Sequence, residues 1–408
     1  MEIPTNASRS ESVDILTKNN RIDSVDIVRG ITILVMIFVN DIHGIKGLPW
    51  WTYHIPPGEQ GITYVDVVYP AFLMMMGMAI PLAFRNRIAM GDSQGKILLH
   101  TVIRALSLVA IGILIMNGRE IDEEAAGIPR AVWNSLVLVG VILFFNKYPK
   151  ATGNRKTIFA ILKWSGLVTV LVLLYFYRRK EGDEIVWIDP KNSSILGGLG
   201  FAYLSCGILF MLLRDRMWKL VAALTFLIFL NVGIKAGLLE FVRSWPSLLW
   251  PFRSGSAASI TMCGIIMSVI FLDEKFAANF QEKLRWGIAF IAALLVGGWM
   301  LLPFGLAKIG ATPSWCLLSA GFTGLIFIFV YWLVDVKSIR GWAEFLKPAG
   351  SNPLLVYLLP DIYYAIFRQF HRSIAMEGWI GVWRPIALTL LILVVATILT
   401  RRKVKLQL

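Results

Sequence analysis

Apolar runs of nearly bilayer length recur along the whole chain, and they limit its fold more than any other feature. They lie near residues 27–41, 63–84, 97–116, 131–146, 157–177 and 195–213, then near 217–234, 256–272, 286–304, 313–334, 351–367 and 379–400. Most approach the ~20 residues that an α-helix needs to cross a bilayer. Of the 408 residues, 57% are hydrophobic and 16% charged, against roughly 45–50% and about 25% in soluble domains. The sequence predicts an all-α polytopic membrane protein of about twelve transmembrane helices. A barrel is excluded, because its strands are only ~10 residues long and alternate polar with apolar positions.

The basic residues set the orientation. Alternate connections carry Arg85, Arg87 and Lys96; Lys147, Lys150, Arg155 and Lys156; Arg214, Arg216 and Lys219; Lys275, Lys283 and Arg285; Lys337, Arg340 and Lys347. The tail adds Arg401, Arg402, Lys403 and Lys405, whereas an intervening connection reads REIDEEAAGIPR. The cluster Arg178-Arg179-Lys180 breaks the pattern and is diluted by Glu181, Asp183, Glu184 and Asp189. Positive charge collects on the cytoplasmic side, so both termini are expected there and the first connection outside. These loops account for the net charge of +14, and nucleic acid is excluded as a partner. The polar N-terminal stretch has no apolar h-region, so no cleaved signal peptide is expected. One membrane domain is expected over 26–400, between a cytoplasmic segment 1–25 and a basic tail 401–408.

Polar chemistry collects in the hairpin 21–84. Its first apolar run begins after Asp26 and Arg29 and ends at Asn40-Asp41; the second begins near Asp66. Ionisable groups at such positions are costly, which makes them functional candidates. His43 and His54, two of the four histidines, lie between the runs. In PWWTYHIPPGEQG, Pro49, Pro56 and Pro57 restrict the backbone around His54. A histidine near its unperturbed pKa accepts a proton at neutral pH, and Asp66 or Asp41 can orient it as a carboxylate does in a triad. An ordinary polar loop histidine is the alternative. Two histidines eleven residues apart do not make a metal motif. Trp50, Trp51 and Tyr53 serve either as membrane-interface anchors or as sugar-stacking surfaces.

Other positions have structural and functional readings side by side. Asp26 and Arg29 pair with each other or bind an anionic cofactor. Arg104, inside the third run, snorkels, pairs or meets a ligand phosphate. Asp361 and Lys235 are further intramembrane charges, and His100 and His371 are expected at interfaces. Trp245, Trp250, Trp315 and Trp379 are expected in an aromatic belt. Cys206, Cys263 and Cys316 fall inside apolar runs as packing residues. Gly197-Gly198, Gly297-Gly298 and Ser256 with Ala257-Ala258 allow close helix approach.

The segment RIDSVDIVRG, a run ending in VN, a loop histidine and then GITYVDVVYPAFLMMMG resembles the heparan-α-glucosaminide N-acetyltransferase family. ATPSW at 311–315 and GSNPLLVY at 350–357 extend the resemblance. It implies transfer of acetyl from cytosolic acetyl-CoA to the amino group of a glucosamine on the far side of the membrane. It places the catalytic histidine at His54, with Asn40 and Asp66 bracketing it. Two departures are IPPGEQG after the histidine, where the family has tryptophan, and Tyr69 before the proline, where it has phenylalanine.

The chemistry then follows. An ammonium group is not a nucleophile, so a base must take its proton before attack on the thioester, and His54 is the candidate. Asn40 or a loop N–H can hold the oxyanion. His54 acting as a covalent acetyl carrier is the second route. Arg29, Arg104, Asp26 and Asn352 are the candidate acetyl-CoA-binding residues, and no metal is expected. The expected partners are membrane lipid and an amino-sugar or glycan acceptor, with a homodimer left open. The loop pattern is consistent with a bacterial inner membrane and a periplasmic His54 loop. Two other classes compete: a membrane O-acyltransferase of an envelope glycan, and a secondary transporter of a small anion or sugar. No inverted repeat of the kind many transporters have is visible.

Overall fold

In a computed structural model of the chain, residues 22–191, 193–244, 254–274, 276–373 and 377–408 are described, except for the side chains at 243, 244, 368–370, 372 and 373. The N-terminal stretch, Trp245, Trp250 and Lys275 lie outside them. Among the described residues, twelve long helices coincide with the twelve apolar runs. They are α1 (Asp23–Ile42), α2 (Tyr64–Ala89), α3 (Gln94–Asn117), α4 (Arg130–Phe145), α5 (Asn154–Phe176) and α6 (Ser194–Leu213). The second set is α7 (Met217–Lys235), α8 (Ser256–Leu272), α9 (Phe280–Met300), α10 (Pro313–Tyr331), α11 (Pro353–Ser373) and α12 (Trp383–Arg401).

Eight of these are long and apolar enough to cross a membrane: α2, α3, α5, α6, α7, α9, α10 with the turn that follows it, and α12. The other four fall short for physical reasons. The helices α4 and α8 have only 16 and 17 residues, and the apolar part of α11 ends at Phe367. The helix α1 carries Asp23, Asp26, Arg29 and Asp41. Two of the four lie deep in the bundle: α8 is buried over nearly its whole length, and α1 packs against α2, α10, α11 and α12.

Capping residues set several helix starts. Ser93, Asn279 and Thr312 accept hydrogen bonds from the N–H groups of Lys96, Glu282 and Trp315, satisfying donors that the first turn leaves free. Asn279 also explains why α9 begins at Phe280, ahead of the apolar run that starts near 286: its first turns are helical but polar.

Packing is close where α2 crosses α8. A Cβ at Gly77 would run into the Thr261 carbonyl, and one at Gly264 into that of Met74. Across the same contact, Ser268 Oγ donates to the Met78 carbonyl at 2.9 Å.

The basic connections lie together at one end of the bundle. There Arg85 pairs with Asp215 and Asp273 at 3.4 Å, and Asn146 pairs with Leu406 of the tail. Asp335 accepts from the Asp23 and Ser24 N–H groups, which puts a carboxylate on the positive end of α1. At the opposite end, residues 178–180 join a short hairpin of β1 (Arg179–Glu181) and β2 (Glu184–Val186). Glu120 and Glu181 neutralise Arg179 there, and Asp122 neutralises Lys180. The exception in the charge pattern is therefore a compensated cluster.

Candidate active site

The loop from α1 to α2 is held by its own side chains. Tyr53 Oη donates to the Ile45 carbonyl at 2.6 Å and accepts from Leu48 N–H at 3.1 Å. Thr63 Oγ1 donates to the Tyr53 carbonyl at 2.9 Å, tying the loop to the start of α2. Thr63 and Asp66 form a capping box on α2, so the third residue of the helix has its carboxylate fixed beside the helix N-terminus.

That carboxylate holds His54. Asp66 Oδ1 lies 2.7 Å from His54 Nδ1, and Oδ2 accepts from Thr63 N–H at 3.2 Å and Ile55 N–H at 3.4 Å. The Asp66 side chain is 1% exposed and that of His54 29%: the orienting group is sealed while the ring can be reached. An ionised carboxylate only accepts hydrogen bonds. Nδ1 therefore carries the proton and Nε2 the free lone pair, as a general base requires.

A third charged group arrives from the connection between α9 and α10. Lys308 Nζ is 3.1 Å from His54 Nδ1 and 3.2 Å from Nε2. The two loops are joined by Gly61 N–H to the Leu306 carbonyl at 2.8 Å and by Leu306 N–H to Gln60 Oε1 at 3.2 Å. Ser314 Oγ, in the first turn of α10, donates to the Gly305 carbonyl. Burial pushes the Lys308 ammonium below the ordinary lysine value, and the charge of Asp66 pulls it part of the way back. Trp315, expected in an aromatic belt, is 2% exposed, and its indole N–H donates to the Asp66 carbonyl at 3.3 Å. Its polar tip is used inside the bundle and not at a membrane surface.

Asp41 belongs to a separate cluster. Its carboxylate accepts from His371 Nε2 at 2.6 Å, Tyr364 Oη at 2.9 Å and Arg384 Nε at 3.1 Å. His371, expected at an interface, is buried here because that carboxylate satisfies its ring. The cluster borders a cavity of about 1200 Å³, also lined by Asn40, Gly44, Arg119, Tyr357 and Asp361. Arg119 pairs with Asp361 at 3.6 Å. Asn40 faces this cavity, and no bond joins it to His54 among the described residues. The two regions meet at His43, whose ring lies 5.9 Å from that of His54 and which immediately precedes the cavity residue Gly44.

The candidates for acetyl-CoA binding lie elsewhere. Arg29 pairs with Asp26 and donates to the Gly350 carbonyl, at 3.2 and 3.1 Å, about 17 Å along α1 from Asn40. Arg104 sits 4.7 Å above the Tyr203 ring. Asn352 Nδ2 donates to the Val404 carbonyl at 2.9 Å, and its Oδ1 accepts from Leu406 N–H at 3.1 Å, which fastens the tail. Trp50 and Trp51 are exposed, and Trp51 lies 6.2 Å from Tyr64. Among the described residues, no group of three His, Cys, Asp or Glu is placed to hold a metal. Sequence reasoning missed Lys308. Its signal was a lone lysine in an otherwise uncharged connection on the His54 side.

Fold and site define an integral, all-α polytopic membrane protein with a histidine–carboxylate centre at one end of its bundle. A family described as "Domain of unknown function (DUF5009)" matches residues 21–281, and the chain belongs to it. The heparan-alpha-glucosaminide N-acetyltransferase of Mus musculus is 36% identical over 403 residues, covering 88% of this chain and 56% of the mouse protein. The Homo sapiens protein of the same name is 22% identical over 438 residues, covering 94% of this chain and 59% of the human one. The chain thus spans little more than half the length of these relatives, whose name agrees with the resemblance carried by residues 21–84.

Proposed function

We propose that the protein is a membrane N-acetyltransferase that moves acetyl from acetyl-CoA to the amino group of a glucosamine-type sugar. The observation that carries this reading is the His54–Asp66 pair, 2.7 Å apart, in a chain related to enzymes with that name. His54 Nε2 takes a proton from the sugar ammonium, and the freed amine lone pair attacks the thioester carbonyl carbon. As the tetrahedral adduct collapses the nitrogen releases its second surplus proton to solvent, the C–S bond breaks, and the departing thiolate takes the first proton from the imidazolium. The products are the N-acetyl sugar, free CoA thiol and one proton released to solvent, with no net proton stored on the enzyme.

In this reading all twelve helices belong to the membrane domain, including the four that are short or charged. Both termini and the basic connections face the cytoplasm, where the anionic nucleotide of acetyl-CoA is drawn to positive charge. The His54 loop faces outward, the periplasm if the membrane is a bacterial inner one. The cavity lined by Asn40 and Asp361 receives the sugar, whose hydroxyls find amide, phenol and carboxylate partners there.

The test follows free-thiol release by purified protein in detergent with acetyl-CoA and glucosamine, for wild type and His54→Ala. Release that needs both the amine and His54 is the expected result. Release from acetyl-CoA alone would instead point to an acyl-enzyme or to hydrolysis. Absence of release with every amino sugar, from protein that remains folded, would sink the N-acetyltransferase reading and favour O-acylation.

A further inference from the structure

Two opposite charges bracket the His54 ring. Asp66 takes the Nδ1 edge at 2.7 Å. Lys308 Nζ is nearly equidistant from the two nitrogens, at 3.1 and 3.2 Å. Ring lone pairs point outward in the ring plane, so a donor seated on one is not equally close to the other. The ammonium therefore sits between the two nitrogens and on the axis of neither lone pair. The backbone ties at Gly61 and Leu306 hold this arrangement by making the His54 loop and the Lys308 connection one unit.

The two charges act on the imidazole in opposite directions. A carboxylate at hydrogen-bond distance favours the imidazolium, and a cation at the same distance disfavours it. The other titratable groups near the ring are His43, at the end of α1, and Tyr53, whose phenol is occupied by Ile45. Lys235 approaches the same connection at Gly310 and adds positive charge behind Lys308.

We propose that Lys308 is a positioning residue whose charge keeps His54 neutral, with its Nε2 lone pair available, at pH values where Asp66 alone would leave the ring protonated. This rests on the reading of His54 as the base. Removing the cation takes away the charge that disfavours the imidazolium, so less neutral imidazole remains on the acid side.

The test uses Lys308→Met, which keeps length without charge, and Lys308→Arg, which keeps the charge. Two readouts are taken across pH on the full-length protein in detergent. One is the acid limb of kcat/KM for acetylation of glucosamine. The other is the rate of carbethoxylation of His54 by diethyl pyrocarbonate, which modifies neutral imidazole, followed by mass spectrometry without any substrate. For Lys308→Met, both midpoints are expected to move up by about one pH unit or more, as a unit charge at this distance implies, while Lys308→Arg stays near wild type. Unmoved midpoints in Lys308→Met would overturn the proposal. An equal displacement in Lys308→Arg would also overturn it, since shape and not charge would then be responsible. So would acetylation of Lys308 on incubation with acetyl-CoA alone, which would make it a nucleophile. The carbethoxylation profile separates this idea from the enzymatic reading: a midpoint that moves in Lys308→Met upholds the charge effect even if no acetyl transfer occurs.

Discussion

At the residue scale, Asp66 does two jobs with one carboxylate. Oδ1 fixes the tautomer of His54, and Oδ2 serves the Thr63 capping box. Asp66→Asn separates them. An asparagine still accepts hydrogen bonds at the helix start, but its amide no longer requires the proton on Nδ1. Thermal stability in detergent should fall by no more than about 1 kcal/mol, the scale of a weakened cap, while kcat falls by about a hundredfold or more. A variant that keeps its turnover would remove Asp66 from the reaction. The His54–Asp66 pair was legible because both residues sit in one hairpin, twelve positions apart. Lys308 lies 254 residues from His54, and a single lysine carries no period or spacing that names its partner. Asp41 was ambiguous for the same reason: its partners His371 and Arg384 come from the far end of the chain.

At the element scale, helix positions follow from apolar runs and caps, but helix partners do not. In lipid the outer face of a bundle is as apolar as its interior, so hydropathy does not say which side of α8 faces α2. Small residues give the better clue, because only they let backbones approach closely. Gly77 and Gly264 meet opposing carbonyls across this crossing, leaving no room for a methyl group on either side. Gly77→Ala and Gly264→Ala should each cost roughly 1–3 kcal/mol, as overpacking of a dense core does. Gly95→Ala, in the first turn of α3 with no neighbour within 4 Å, should be neutral or stabilising by up to about 1 kcal/mol. Thermal unfolding of the three variants in one detergent checks the contrast. Equal stabilities would mean that α2 and α8 do not cross at these glycines.

At the scale of the whole molecule, charge and geometry agree on two ends. The described start of α1, the connections at 85, 146, 215 and 273, and the C-terminal tail share one end. The His54 loop shares the other with the Lys308 connection and the β-hairpin. Sequence alone yields this division because lysine and arginine are costly to translocate across a membrane, so their asymmetry is written into the loops. Which end faces the cytoplasm can be read with cysteines, since Cys206, Cys263 and Cys316 are all buried and give little background. Glu59→Cys, in the exposed part of the His54 loop, should react with an impermeant maleimide added to intact cells. Lys403→Cys, in the exposed tail, should react only after the membrane is opened. The reverse pattern would invert the protein and place His54 on the same side as soluble acetyl-CoA. The transfer would then no longer cross a membrane, and the basic end could no longer be what gathers the donor.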